Sequence, residues 1–197
     1  LKNIYKPLLL NNIMELIFWI LIALAAIIVI AFIYYYNKFV LLDNRIDNSL
    51  SQIDVQLKKR ADLVPNLLSS VKGYMKHEKG IIKEVTDARK ALLGAQDLPA
   101  RAKAGADLQT ALKSIFALAE NYPNLKANEN FIHLQQELSA IEERIAYSRQ
   151  YYNDSILSFN NSVESFPGVM FANIYGKKER PFLAIKEEER TVPKVDF

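Results

Sequence analysis

Leu16 to Tyr36 reads LIFWILIALAAIIVIAFIYYY, 21 consecutive residues without a charge, a proline or a glycine. At about 1.5 Å rise per residue a helix of that length spans roughly 32 Å, close to the ~30 Å hydrocarbon core of a bilayer. A single segment can cross lipid only if its backbone groups satisfy one another, as they do in a helix. A buried core helix would instead need protein on every side. The roughly 160 residues that follow are polar in their patterning and do not supply it. The stretch therefore reads as a transmembrane anchor. Trp19 lies toward one end and Tyr34, Tyr35 and Tyr36 at the other, where amphipathic rings favour the headgroup level.

Upstream, residue 1 is Leu and the first Met is Met14. A start at Met14 would set the amino terminus at the bilayer and make residues 1–13 an upstream extension, with the anchor at 14–37. Ala23-Leu24-Ala25 has the small-x-small form of a signal-peptidase site. Cutting there would leave IIVIAFIYYY at the new terminus, and from Met14 no basic n-region precedes the run. An uncleaved anchor is the expectation. Lys38 and Arg45 follow it closely, then Lys58, Lys59 and Arg60, so the positive-inside rule puts the short N-terminus outside and the following domain in the cytoplasm of the cell.

Downstream, the chain of 197 residues keeps enough length for one domain with a real core. Its lack of cysteine excludes a disulfide framework and thiolate metal sites. Setting aside Lys2, Lys6 and Glu15, the 25 basic and 22 acidic residues become 23 and 21, a balance that argues against a nucleic-acid partner.

From Asn37 to about Glu78 apolar residues recur at Ile46, Leu50, Ile53, Leu57, Ala61, Val64, Leu68, Val71 and Met75, a seam near heptad spacing. Asp54, Lys58 and Asp62 form a charged ladder on another face. Pro65 removes one donor and predicts a kink near Ala61. Gly80 suggests a turn, then a short helix over 81–93 with Gly94 as its C-cap. Asp97 caps a third helix running to about Asn121, whose alanine-rich first turns permit close approach of a neighbour. Asn128 caps a long fourth helix with a seam from Phe131 to Phe166, terminated by Pro167-Gly168. The expected fold is all-α: the transmembrane helix, then an antiparallel up-down four-helix bundle over 38–167 with two long helices, and a tail over 168–197.

Four passes return the chain to the membrane end. There Phe171, Ile174 and Tyr175 become candidates for contact with the bilayer interface, assisted by Lys177, Lys178 and Arg180.

Reaction chemistry finds no footing. Glu129, His133 and Glu137 share one helix face, but no Glu-x-x-His occurs, so no metal is expected. There is no nucleophile elbow and no glycine-rich phosphate loop. Glu142 and Glu143 read as surface charge. Polar residues beside the seams, Gln52, Gln56, Asn66, Gln135, Arg149, Asn153 and Asn160, serve either to fix helix register or to line a groove for a partner. The end Val195-Asp196-Phe197 has the form captured by strand addition, although a docked tail explains it as well.

NSLSQIDVQLKKRADLVPNLLSSVKGYMKHE (Asn48 to Glu78), YPNLKANENFIHLQQELSAIEERIAYSRQYYN (Tyr122 to Asn153), SFPG (Ser165 to Gly168) and VPKVDF (Val192 to Phe197) together closely resemble the LemA family. The resemblance runs from the anchor to the last residue, departing at GKKERPF (Gly176 to Phe182), where the family often has a Gly-Phe pair. It implies a bacterial-type membrane protein with one N-terminal helix, a cytoplasmic helical bundle and no catalytic residues or cofactor. The expected function is a membrane-anchored, non-enzymatic scaffold or interaction module that binds another protein, with Asp54, Lys58, Asp62, Asn66, Arg149 and Asn153 as contact candidates. Self-assembly into a homo-oligomer through the seams, or a metal-dependent enzyme, are the alternatives.

Overall fold

The computed structural model describes residues 5–75 and 77–183, with side chains from residue 12 onward; the tail ending Val195-Asp196-Phe197 lies outside the described residues. Among the described residues six helices follow one another: α1 (Tyr5–Lys72), α2 (Lys79–Gly94), α3 (Leu98–Ala119), α4 (Pro123–Lys126), α5 (Glu129–Glu164) and α6 (Gly168–Ile174). No strand occurs among the described residues. The chain divides into two compact units, one of residues 1–45 and 155–181, the other of 46–154 and 182–197.

In the first unit, α1 carries the apolar run. Its most apolar 18-residue window has a mean hydropathy of 3.3 and no buried residue, which makes the helix long and apolar enough to cross a membrane. Cover begins only at Ala31 and Phe32 and becomes complete at Phe39 and Leu42. There α5 contributes Phe159, edge-on to Phe39 at 6.1 Å between ring centroids. α6 ends in a Schellman turn. Gly176 at φ +64° lets Lys177 N–H reach Ala172 O (2.9 Å) and Gly176 N–H reach Asn173 O (3.3 Å). The segment after it is held to α5 by Asn160, which donates to Arg180 O and accepts from Arg180 N–H, both at 2.9 Å.

In the second unit both expected caps are present. Asp97 Oδ1 accepts from Ala100 N–H (2.7 Å) and Asn128 Oδ1 from Phe131 N–H (3.1 Å). Other boundaries differ from expectation. α1 stops at Lys72, short of Glu78, because Gly73 follows and the N–H groups of Tyr74 and Met75 turn back onto Val71 O. Met75 is still fully buried, but from the turn. Gly80 lies in the first turn of α2, so the chain reverses at Gly73 instead. Gly94 is the last residue of α2, and Ala95 is its cap. Pro123 opens the one-turn α4 rather than merely ending α3.

The seam also differs in detail. Ser49 and Leu67 are buried where Leu50 and Leu68 are only half-buried. A straight helix follows 3.6 residues per turn, so a strict heptad reading drifts off the covered face. Phe166 leaves the seam altogether and is 81 % exposed, because α5 ends at Glu164 and helical periodicity ends with it.

Pro65 lies within α1. A proline at that place cannot donate to the carbonyl four residues back, and its ring pushes that carbonyl outward. The carbonyl is that of Ala61, whose residue is fully buried. Arg89 of α2 donates to it through Nε at 2.7 Å. The breaker in one helix thus becomes the docking point for the next.

Candidate functional site

Two of the recesses in the second unit bring polar side chains of α1 together with those of other helices. Along α1 the residues Ile53, Leu57, Arg60, Val64, Leu67 and Val71 step by three and four, so Arg60 stands on the buried stripe amid aliphatic side chains. It is 2 % exposed. Its Nη1 donates to Gly105 O on α3 (3.2 Å), and its guanidinium is ion-paired with Glu142 on α5. Its Nε has no acceptor among the described residues. Burial pulls the pKa of the guanidinium down from its ordinary value to about 10, since desolvation disfavours the charged form.

Gly105 packs against Leu57 of α1. A Cβ there would lie 2.7 Å from Leu57 Cδ2 and would require the tip of that side chain to shift. The neighbouring Ala102 and Ala106 line the same cleft, of about 280 Å³, together with Lys113 and Arg149. Leu183 closes one side, and its backbone is gripped by Asn153, which accepts from Leu183 N–H (2.9 Å) and donates to Leu183 O (3.2 Å).

The second recess is a wider groove of about 700 Å³ between α1 and α5. Asn48, Gln52 and Gln56 line it from α1, and Arg144, Tyr147 and Tyr151 from α5. Gln56 is nearly buried, yet its Oε1 meets no donor among the described residues. Tyr147 is 71 % exposed.

The interaction candidates are dispersed. Asp54 is taken up by an ion pair with Arg101. Lys58, Asp62 and Asn66 are exposed, and Asp62 shares a shallow recess with Lys59, Glu137 and Arg144. Arg149 faces the Arg60 cleft, and Asn153 is a backbone clamp. Glu142, expected as surface charge, is instead the counter-ion of a buried arginine, because its side chain reaches inward across α5 toward α1. Arg60 itself was legible by its place on the apolar stripe, but a basic cluster Lys58-Lys59-Arg60 disguises it as solvated charge. No group of three or more metal-type ligands occurs among the described residues.

In the first unit, Trp19, Tyr34, Tyr36 and Ile174 are exposed. Tyr35, Phe171 and Tyr175 are half-buried instead, since they pack on one another: Phe171 stacks on Tyr35 at 4.7 Å, and Tyr175 O–H donates to Phe32 O at 2.9 Å. Lys177 and Arg180 both bind the carboxylate of Asp43, at 2.6 and 2.7 Å.

A chain whose described residues form helices and no strand, with one helix long and apolar enough to cross a membrane, defines the class. The chain belongs to the LemA family, whose sequence model matches residues 49–197. It is similar to the Protein LemA of Metamycoplasma hominis, with 28 % identity over 158 residues that cover 77 % of this chain and 71 % of the relative. It is also similar to the Magnetosome protein MamQ of Magnetospirillum gryphiswaldense, with 25 % identity over 190 residues, 81 % of this chain and 70 % of the relative.

Proposed function

We propose that this protein is a single-pass component of the cell membrane, its short N-terminus outside and its helical domain in the cytoplasm, and that the domain is a non-enzymatic module that binds another protein. α1, α2, α3 and α5 would pack as an up-down four-helix bundle beyond the anchor. The observation that carries the reading is the α1–α5 groove, where the exposed rings of Tyr147 and Tyr151 share one recess with the exposed amides of Asn48 and Gln52. Interface centres favour aromatic anchors, and the exposed amides offer a partner both donors and acceptors. The names of the relatives carry no reaction.

A photo-crosslinking residue at Tyr147 or at Gln52, incorporated in cells, tests it against the same residue at Lys90 on α2. Discrete adducts at the groove positions and none at Lys90 are expected. Adducts of twice the chain's own mass would favour self-assembly instead. No adduct at either groove position refutes the interaction reading.

A further inference from the structure

The first unit carries an apolar surface that neither α1 nor α5 covers. Phe166, Met170 and Ile174, spaced by four residues, are 81 %, 57 % and 61 % exposed. They lie just before α6 and along it. The opposite side of α6 is pinned to α1. Phe171 stacks on Tyr35 and meets Phe32 edge-on at 5.0 Å, and Tyr175 meets Tyr36 at 5.7 Å while its hydroxyl donates to Phe32 O. Gly168 allows the tight entry into the helix, because a Cβ there would fall 2.2 Å from Ser162 O.

These contacts set a depth. Phe32, Tyr35 and Tyr36 belong to the last turns of the uncharged run, so α6 is held at the level where that run ends. The basic residues that follow are held further along. Lys177 and Arg180 bind Asp43, 11 residues beyond Phe32, or about 16 Å along the helix. An apolar stripe level with the end of a membrane span, with Lys177 and Arg180 tied toward the aqueous side and Lys178 exposed between them, has the layout of an interfacial element.

We propose that α6 is a lipid-docking element: Phe166, Met170 and Ile174 enter the headgroup–acyl boundary of the bilayer that α1 crosses. The proposal rests on the anchoring reading above. It changes which residues touch lipid, since Phe171 and Tyr175 are spent on α1 and only Ile174 of the three residues expected from the sequence faces outward. It also changes the driving force. With Lys177 and Arg180 engaged by Asp43, docking is apolar and does not depend on anionic lipid.

The natural chain contains no cysteine, so single-cysteine labelling is clean. Spin labels are placed at Phe166→Cys, Met170→Cys and Ile174→Cys in the full chain, reconstituted into phosphatidylcholine vesicles with and without phosphatidylglycerol. Ile27→Cys reports the anchor and Lys90→Cys, on α2 and away from the groove, reports water. Collision with a water-soluble nickel chelate is expected to fall about fivefold or more at all three α6 sites relative to Lys90→Cys, equally in both vesicles. If Ile27→Cys is shielded but the three sites are as accessible as Lys90→Cys, the docking proposal falls and the anchor stands. If Ile27→Cys is itself accessible, the anchoring reading falls and takes this proposal with it. Shielding that requires phosphatidylglycerol overturns the apolar mechanism.

Discussion

Arg89 and Pro65 are expected to be energetically coupled through a carbonyl that belongs to neither. Proline at 65 leaves the Ala61 oxygen without its helical donor, and Arg89 Nε supplies one at 2.7 Å. Ala61 is fully buried, so no water can take over. Arg89→Met keeps much of the aliphatic stem but deletes the donor. Leaving a buried acceptor unsatisfied costs about 1–3 kcal/mol, toward the upper end when the lost partner was charged. Pro65→Ala restores the N–H to the helix. Residue 65 is exposed, so the change opens no cavity, and relief of the interior proline contributes up to ~3 kcal/mol. In that background the Ala61 carbonyl has a donor again, and Arg89→Met then costs only the residual packing of its head group, on the order of 0.5 kcal/mol. The four proteins of this double-mutant cycle are unfolded with urea in detergent micelles and followed by helical circular dichroism. A coupling energy of about 1–2 kcal/mol is expected. Equal costs of Arg89→Met in both backgrounds, within about 0.3–0.5 kcal/mol, would refute the argument.

Two further outcomes follow from charged pairs. Glu142→Leu strands the Arg60 guanidinium in the apolar stripe and is expected to destabilise by about 3 kcal/mol. Adding Arg60→Met removes the stranded charge and recovers most of that loss, whereas a double variant no better than the single one in the same urea assay would contradict the reading. Near the end of α5, Glu179 hydrogen-bonds to Glu164 and repels its charge, which holds the Glu164 carboxyl above its ordinary 4.5. The folded chain therefore binds the proton more tightly than the unfolded one. That contribution is complete below pH 4.5 and is lost as pH rises through the raised value. Glu164→Gln should gain in Tm relative to the natural protein between about pH 4 and pH 7, and an unchanging Tm difference across that interval would count against the pairing.

Much of this protein is written in local chemistry. The long uncovered apolar helix is legible because the run holds 21 positions without a charge, a proline or a glycine, enough for a helix as long as a bilayer core is thick. The all-helical class follows from three-and-four spacing over long stretches. The caps at Asp97 and Asn128 follow from side chains that can satisfy the donors next to them. These are properties of a few neighbouring residues, and they hold whatever the rest of the chain does.

What tertiary structure alone decided are the polar partners. No pattern in the sequence says that Arg89 serves a carbonyl 28 residues away, that a buried Arg60 pairs with a half-exposed Glu142, or that Asn153 and Asn160 grip the backbone of the returning segment. Each of these groups could be satisfied equally well by water, so its residue type does not reveal its partner. The outward face of α6 is the same case. Phe166, Phe171, Ile174 and Tyr175 are all apolar or aromatic, and residue type alone does not say which of them face outward. Only the packing of Phe171 and Tyr175 against α1 separates the residues that hold the element in place from Phe166, Met170 and Ile174, which are left facing outward.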